Sequence, residues 1–138
     1  MRGKELLIEH LKELTKALQT WKRYEKITLN EFLKDEDKQN MVFHGMLKAI
    51  QAAIDIGNDI IAMKNLEEPS TYKEIFEILQ RNKIISSSLA LQLSSLAGFR
   101  NALVHIYWKI DIKRAYRILK TKRKALEEFR KNCLKFLK

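Results

Sequence analysis

Between Gly98 and Trp108 the chain reads Gly-Phe-Arg-Asn-Ala-Leu-Val-His-Ile-Tyr-Trp, an apolar run interrupted by Arg100, Asn101, His105 and Tyr107. A guanidinium is costly to bury without a partner, so these polar groups should line a cleft, form a charge pair or meet an interface. On a helix, Asn101 and His105 are four apart and share a face, with Arg100, Leu103 and Tyr107 on a neighbouring one. A fixed cation beside a titratable imidazole is what phosphodiester cleavage requires. His moves protons near neutral pH, and Arg stabilises the charge that develops on the phosphorane. The same residues also suit a plain helix terminus, with Arg100 paired to a carboxylate and His105 capping a carbonyl.

The elements that must position this stretch read as helices. Leu7, Leu11, Leu14, Leu18 and Trp21 recur at three- and four-residue steps, which predicts a first helix over roughly 4–26. Thr28-Leu29-Asn30-Glu31 has the spacing of a capping box and should start a short helix. Asp35 and Asp37 then open the longest apolar segment, about 36–65. One wide face of it carries Phe43, Met46, Ile50, Ile54, Gly57 and Ile61, and a second carries Val42, Ala49, Ile56 and Met63. Apolar character on two faces predicts neighbours on two sides, as in a bundle interior. The polar stripe left over holds His44, Lys48, Gln51, Asp55 and Asn58 or Asp59, suited either to a solvated face or to support of the cleft. Glu67-Glu68-Pro69-Ser70 is a loop, and Thr71-Tyr72-Lys73-Glu74 is a second capping-box pattern, opening a helix to about Arg81. Ser86 to Ser88 supply another start, for a helix to about Tyr107. Asp111 is the expected N-cap of a last helix running to the end of the sequence. No segment alternates with a two-residue period, so the expectation is an all-α, up-and-down bundle of five or six helices in one domain, 1–138.

Composition agrees. The 138 residues are 46% hydrophobic, enough for an ordinary core, and include only 1 Pro and 4 Gly, too few for a turn-rich β fold. Net charge is +10, but residues 109–138 hold 12 Lys and Arg against 3 Asp and Glu, so nearly all the excess lies there. Such an imbalance favours a polyanionic partner. The single Cys133 allows no intrachain disulfide. No run approaches the length of a membrane span, and Glu5 and Glu9 interrupt the apolar core a signal peptide would need. A cytoplasmic protein with no membrane partner is therefore expected. There is no Glu-x-x-His pair, Cys/His cluster or Gly-rich phosphate loop, so neither a metal site nor a cofactor is expected.

Arg100-x4-His105-x-Tyr107 resembles the RxxxxHxY motif of HepT-like proteins in the HEPN superfamily of helical ribonucleases. Its surroundings, Ala97 to Trp108 followed by Ile110-Asp111, are similar too, as are Gln51 to Gly57 and Pro69 to Tyr72. The likeness covers roughly residues 5–120. It implies a homodimer in which two such motifs meet in one cleft across the interface. It also implies a metal-independent endoribonuclease toxin of a type VII-like toxin–antitoxin pair, cleaving RNA by 2′-OH attack on the adjacent phosphate. On that pattern His105 is general base or acid, Arg100 stabilises phosphate charge, and Asn101 orients the substrate or His105. A partner nucleotidyltransferase of the MntA type would neutralise the toxin by transferring AMP to Tyr107.

The alternative reading is a non-catalytic helical subunit that binds a nucleotidyltransferase, although such a scaffold needs none of the four polar residues. A nucleic-acid binder using only the basic helix is a third. For RNA contact, Lys113, Arg114, Arg117 and Lys120 lie nearest the motif in sequence. Trp108 and Tyr116 could stack bases, but aromatic residues of a bundle are expected in its core. His44 reads as an exposed or satisfied histidine, and His10, after Glu9 on an amphipathic helix, as surface.

Overall fold

The computed structural model describes residues 2–138, apart from the side chains of Arg2 and Tyr107. It contains α1 (Arg2–Tyr24), α2 (Leu29–Lys34), α3 (Glu36–Met63), α4 (Tyr72–Arg81), α5 (Ser87–His105), α6 (Ile112–Thr121) and α7 (Arg123–Leu134), with 3-10 turns at Tyr107–Lys109 and Lys135–Leu137. No strand occurs among the described residues. The expected all-α architecture is present.

The caps follow the sequence closely. Thr28 accepts from the Glu31 amide at 3.1 Å while the Glu31 carboxylate takes the Thr28 amide, a complete capping box. Asp35, Ser86 and Asp111 each accept the amide three residues on, which starts α3, α5 and α6. Thr71 does the same for α4, but the Glu74 carboxylate turns to the Ser70 amide at 2.6 Å, so only half of that box forms. The helices α3 and α4 end in the 6→1 closure of a Schellman motif, Leu66 N–H to Ile61 C=O and Ile84 N–H to Leu79 C=O, both 2.9 Å. The residues that turn there, Asn65 (φ 55°) and Lys83 (φ 60°), are left-handed without being glycine.

The helix α3 is the hub, packed against α1, α2, α4, α5 and α7, as its two apolar faces require. One hydrophobic cluster joins all seven helices, with Trp21, Phe32, Phe76, Phe99 and Phe129 fully buried. Phe76 and Phe129 meet edge to face, centroids 5.6 Å apart. Against α4 the hub is close because of Gly57. A Cβ there would stand 2.4 Å from Ile75 Cγ2, so only a glycine lets the two helices approach this way. Among the described residues no helix is long and apolar enough to cross a membrane.

Among the described residues seven helices replace the expected five or six because the basic C-terminal helix is two. It breaks at Lys122, with no glycine or proline to mark the place. The buried Trp21 indole N–H donates to the Leu119 carbonyl at 2.8 Å, the acceptor that the Arg123 amide would use in a continuing helix. The side chain of Arg123 is drawn off by Glu25 at 2.6 Å. Lys120 to Lys124 offer no apolar group to hold a straight continuation.

Candidate active site

The helix α5 carries the motif and ends at His105, where Ile106 N–H closes the last turn on Ala102 C=O at 3.0 Å. Tyr107 begins the following 3-10 turn. The helical spacing that would put Tyr107 beside Arg100 and Leu103 therefore stops short of it, and its side chain lies outside the described residues.

Arg100 is held from three elements. Its Nε donates to Gln51 Oε1 of α3 at 2.9 Å, and a terminal nitrogen donates to Asn101 Oδ1 at 3.2 Å. Its guanidinium carbon lies 4.8 Å from the centroid of Tyr72, the first residue of α4. Gln51 in turn donates to Asp55 Oδ1 at 3.0 Å. None of the ion pairs among described residues uses Arg100. Its acceptors are neutral amides, so the cation is fixed in place without its charge being cancelled. The polar stripe of α3 thus supports the motif at Gln51 and Asp55.

Five residues along a helix are about 140° apart, so Arg100 and His105 leave α5 on different sides. Asn101 joins them. It bonds Arg100 and stands one turn before His105, and both Asn101 and His105 line an open cleft of about 430 Å³. The other walls are Asn58 of α3, Pro69, Ser70 and Thr71 of the loop, and Tyr72 and Ile75 of α4. His105 is exposed and its ring makes no hydrogen bond to a described residue, so it is not spent on a carbonyl. A plain helix terminus would pair the Arg with a carboxylate and occupy the His; neither occurs among the described residues. Asn58 lies on the stripe suited to support of the cleft, and Ser70, Thr71 and Tyr72 in a segment the sequence marks as a loop, a helix start and part of the family likeness; the structure adds that all four line the cleft.

The four candidate RNA contacts, Lys113, Arg114, Arg117 and Lys120, are all exposed on α6. Arg114 packs its guanidinium 5.6 Å from the ring of Phe99, the neighbour of Arg100. Lys120 is at the other end of α6, donating to the Glu25 carbonyl after α1, and does not join the motif. Two expectations need correction. Trp108 is not core but 77% exposed, because the 3-10 turn has left the helix that would have tucked it in. His10 is not free surface: its Nδ1 lies 2.5 Å from Asp59 Oδ2 of α3, at a half-buried contact. Burial pushes the Asp59 carboxyl up from its ordinary value, and His10 opposes that. Tyr116 is partly buried, its hydroxyl donating to Ile27 C=O at 2.9 Å. His44 is exposed. No group of three or more His, Cys, Asp or Glu suited to a metal ion occurs among the described residues.

Known proteins resemble this one in sequence and in fold. A putative RNase, YutE, of Bacillus subtilis is 31% identical over 88 residues, 64% of this chain and 61% of that protein. A tRNA nuclease HepT of Aphanizomenon flos-aquae is 35% identical over 91 residues, 65% of this chain and 61% of that protein. The match thus spans about three fifths of each relative. The tri-AMPylated Shewanella oneidensis HEPN toxin, solved in complex with MNT antitoxin, superposes with a TM-score of 0.85 at 21% identity, covering 95% of this chain and 97% of that one. The family model described as ribonuclease HepT-like matches residues 7–133, nearly the whole chain. The chain belongs to the ribonuclease HepT-like family.

Proposed function

We infer that the protein is a metal-independent endoribonuclease acting as the toxin of a two-gene toxin–antitoxin pair. The observation that carries this reading is a cation, Arg100, locked by neutral amides beside a cleft whose imidazole, His105, bonds no described residue. In the reaction the 2′-oxygen of one ribose attacks the adjacent phosphorus and the 5′-oxygen leaves, giving a 2′,3′-cyclic phosphate and a 5′-hydroxyl. His105 takes the proton from the 2′-hydroxyl or delivers one to the departing 5′-oxygen. Arg100, already aimed by Gln51, stabilises the added charge on the phosphorane without reorganising. Asn101 ties the two together and orients the substrate or the imidazole.

The working unit is a homodimer. Val104, Ile106 and Trp108, at 43%, 44% and 77% exposure, are exposed apolar residues within three positions of His105, suited to burial against a second copy. Two motifs facing one another would supply two imidazoles and two guanidinium groups to one RNA strand. Neutralisation by AMP transfer to Tyr107 from an MntA-type nucleotidyltransferase fits the motif, because each added nucleotide places negative charge and bulk where the RNA backbone must lie. The AMPylated state of the Shewanella toxin supports the same reading.

Purified protein should cut RNA in the presence of chelator and leave cyclic phosphate ends, while Arg100→Ala and His105→Ala should not. Full activity of the His105→Ala protein would overturn the assignment. Mass spectrometry after co-expression with the nucleotidyltransferase should find AMP on Tyr107, and an unmodified Tyr107 in a fully neutralised toxin rejects the AMP-transfer step.

A further inference from the structure

The basic tail drew attention to α6, yet a cation from the nearly neutral part of the sequence lies along the motif helix itself. Lys73 follows Tyr72 at the start of α4, and its backbone carbonyl accepts from Ser94 Oγ of α5 at 3.4 Å. From there its side chain runs over Gly98. A Cβ built on Gly98 would stand 3.1 Å from Lys73 Cε and 3.5 Å from its Nζ, so the glycine provides the seat on which the end of the lysine rests. Gly98, Asn101 and His105 are spaced three and four apart, which places them on one face of α5. The Lys73 ammonium therefore stands on the same face as the cleft residues, about 10 Å along the axis from His105.

Charge around it is open. Lys73 is exposed, and none of the ion pairs among described residues uses it. The nearest acid in sequence, Glu74, accepts instead from the Ser70 amide at 2.6 Å. Tyr72, its neighbour, backs Arg100 and lines the cleft. One turn of chain thus holds Arg100 at the reaction centre with Tyr72 and presents a second cation farther along the same helix face.

We propose that Lys73, seated on Gly98, forms a subsite for an RNA backbone phosphate next to the scissile one. The proposal rests on the ribonuclease reading of the cleft and adds to it where the strand leaves the reaction centre. A point charge on a flexible stem suits a phosphate that must be held and released, with no demand on base identity.

The test is binding of a fully 2′-O-methylated oligoribonucleotide, which cannot undergo 2′-OH attack, followed by fluorescence anisotropy across a salt series. Lys73→Met keeps the stem and removes the charge. It should weaken binding about fivefold at low salt and lower the slope of log affinity against log salt by about 0.7, the share of one phosphate on a single strand. Lys73→Arg should restore both. Gly98→Ala, which pushes the ammonium off its seat, should give part of the Lys73→Met loss. In cleavage of a dinucleoside monophosphate, which has no second phosphate, Lys73→Met should match the wild type. Binding by Lys73→Met within twofold of the wild type at an unchanged salt slope overturns the subsite. So does an equal loss on the dinucleoside monophosphate, which would place Lys73 at the scissile phosphate. Failure of the wild-type protein to cleave any RNA would reject the ribonuclease reading, and the anisotropy would still decide the role of Lys73.

Discussion

Gln51 gives a sharp test of how the cation is fixed. Gln51→Met keeps the straight aliphatic stem and removes both amide atoms, so Arg100 Nε loses its acceptor at 2.9 Å and Asp55 loses its donor at 3.0 Å. What remains on Arg100 is the Asn101 contact and the Tyr72 ring, the latter worth about 0.5–1 kcal/mol. A hydrogen bond to a charged group contributes about 1.5–3 kcal/mol. Arg100 and Gln51 are both half-buried, so the lower end applies. Lost from the orientation of the guanidinium in the transition state, about 1.4 kcal/mol is tenfold in kcat/KM. Gln51→Met should therefore slow cleavage of a fluorogenic RNA about tenfold, against about 100-fold or more for Arg100→Ala. Gln51→Glu paired with Asp55→Asn rebuilds the same chain with an acceptor facing Arg100 and an amide behind it. It should hold the guanidinium in place yet stay well below the wild-type rate, because a carboxylate on Arg100 cancels the charge it must bring to the phosphorane. Wild-type rates in a folded Gln51→Met protein would refute the idea that Gln51 aims Arg100.

Three further outcomes follow from packing, backbone and burial. Gly57→Ala must displace Ile75 from a 2.4 Å contact. Overpacking costs about 1–3 kcal/mol; at 2.4 Å from a β-branched side chain the upper part, about 2–3, applies, and the better helix former returns about 1, so urea denaturation should show a net loss of about 1–2 kcal/mol, and an unchanged midpoint contradicts the close α3–α4 approach. Lys83→Gly should raise stability by about 0.5–1 kcal/mol, since a side chain at φ 60° is strained and glycine is not; a loss of stability would count against a strained Lys83. Burial pushes the Cys133 thiol up to about 12 from an ordinary value of 9.0. The folded state keeps its proton while the unfolded thiol ionises, so this contribution is whole below about pH 9 and declines by about 1.4 kcal/mol per pH unit toward 12. The stability difference between wild type and Cys133→Ala should narrow over that range, and a parallel pair of pH curves would refute it.

Much of the fold was written locally. Asp35, Ser86, Asp111 and the Thr28–Glu31 pair are short-range signals, since each cap bonds a residue three positions away. The apolar periodicities of α1 and α3 marked the faces that are buried. The break at Lys122 was not legible, because its cause is an indole ninety-eight residues distant in sequence. The site divides in the same way. Arg100, Asn101 and His105 stand together in sequence and could be read as a set, whereas the anchor of Arg100 is forty-nine residues upstream. Gln51 could be placed on a polar stripe but not aimed. Lys73 gave no sign, because only the packing of α4 on α5 brings it over Gly98.

The end of α5 has its own consequence. Arg100 lies a full turn inside the helix and is bonded to a second helix. His105 is the final helical residue, followed by a single closing amide at Ile106 and a turn fastened by Lys109 N–H to Ile106 C=O at 2.8 Å. Backbone protection against hydrogen exchange should fall steeply across these few residues, from the slow amides around Phe99 to fast ones beyond His105. One half of the proposed pair, Arg100, is thus anchored to the bundle and the other, His105, stands on its fraying edge. Whatever docks against the apolar surface around Trp108 acts on the imidazole first, and can order or disorder it while leaving the guanidinium where it is.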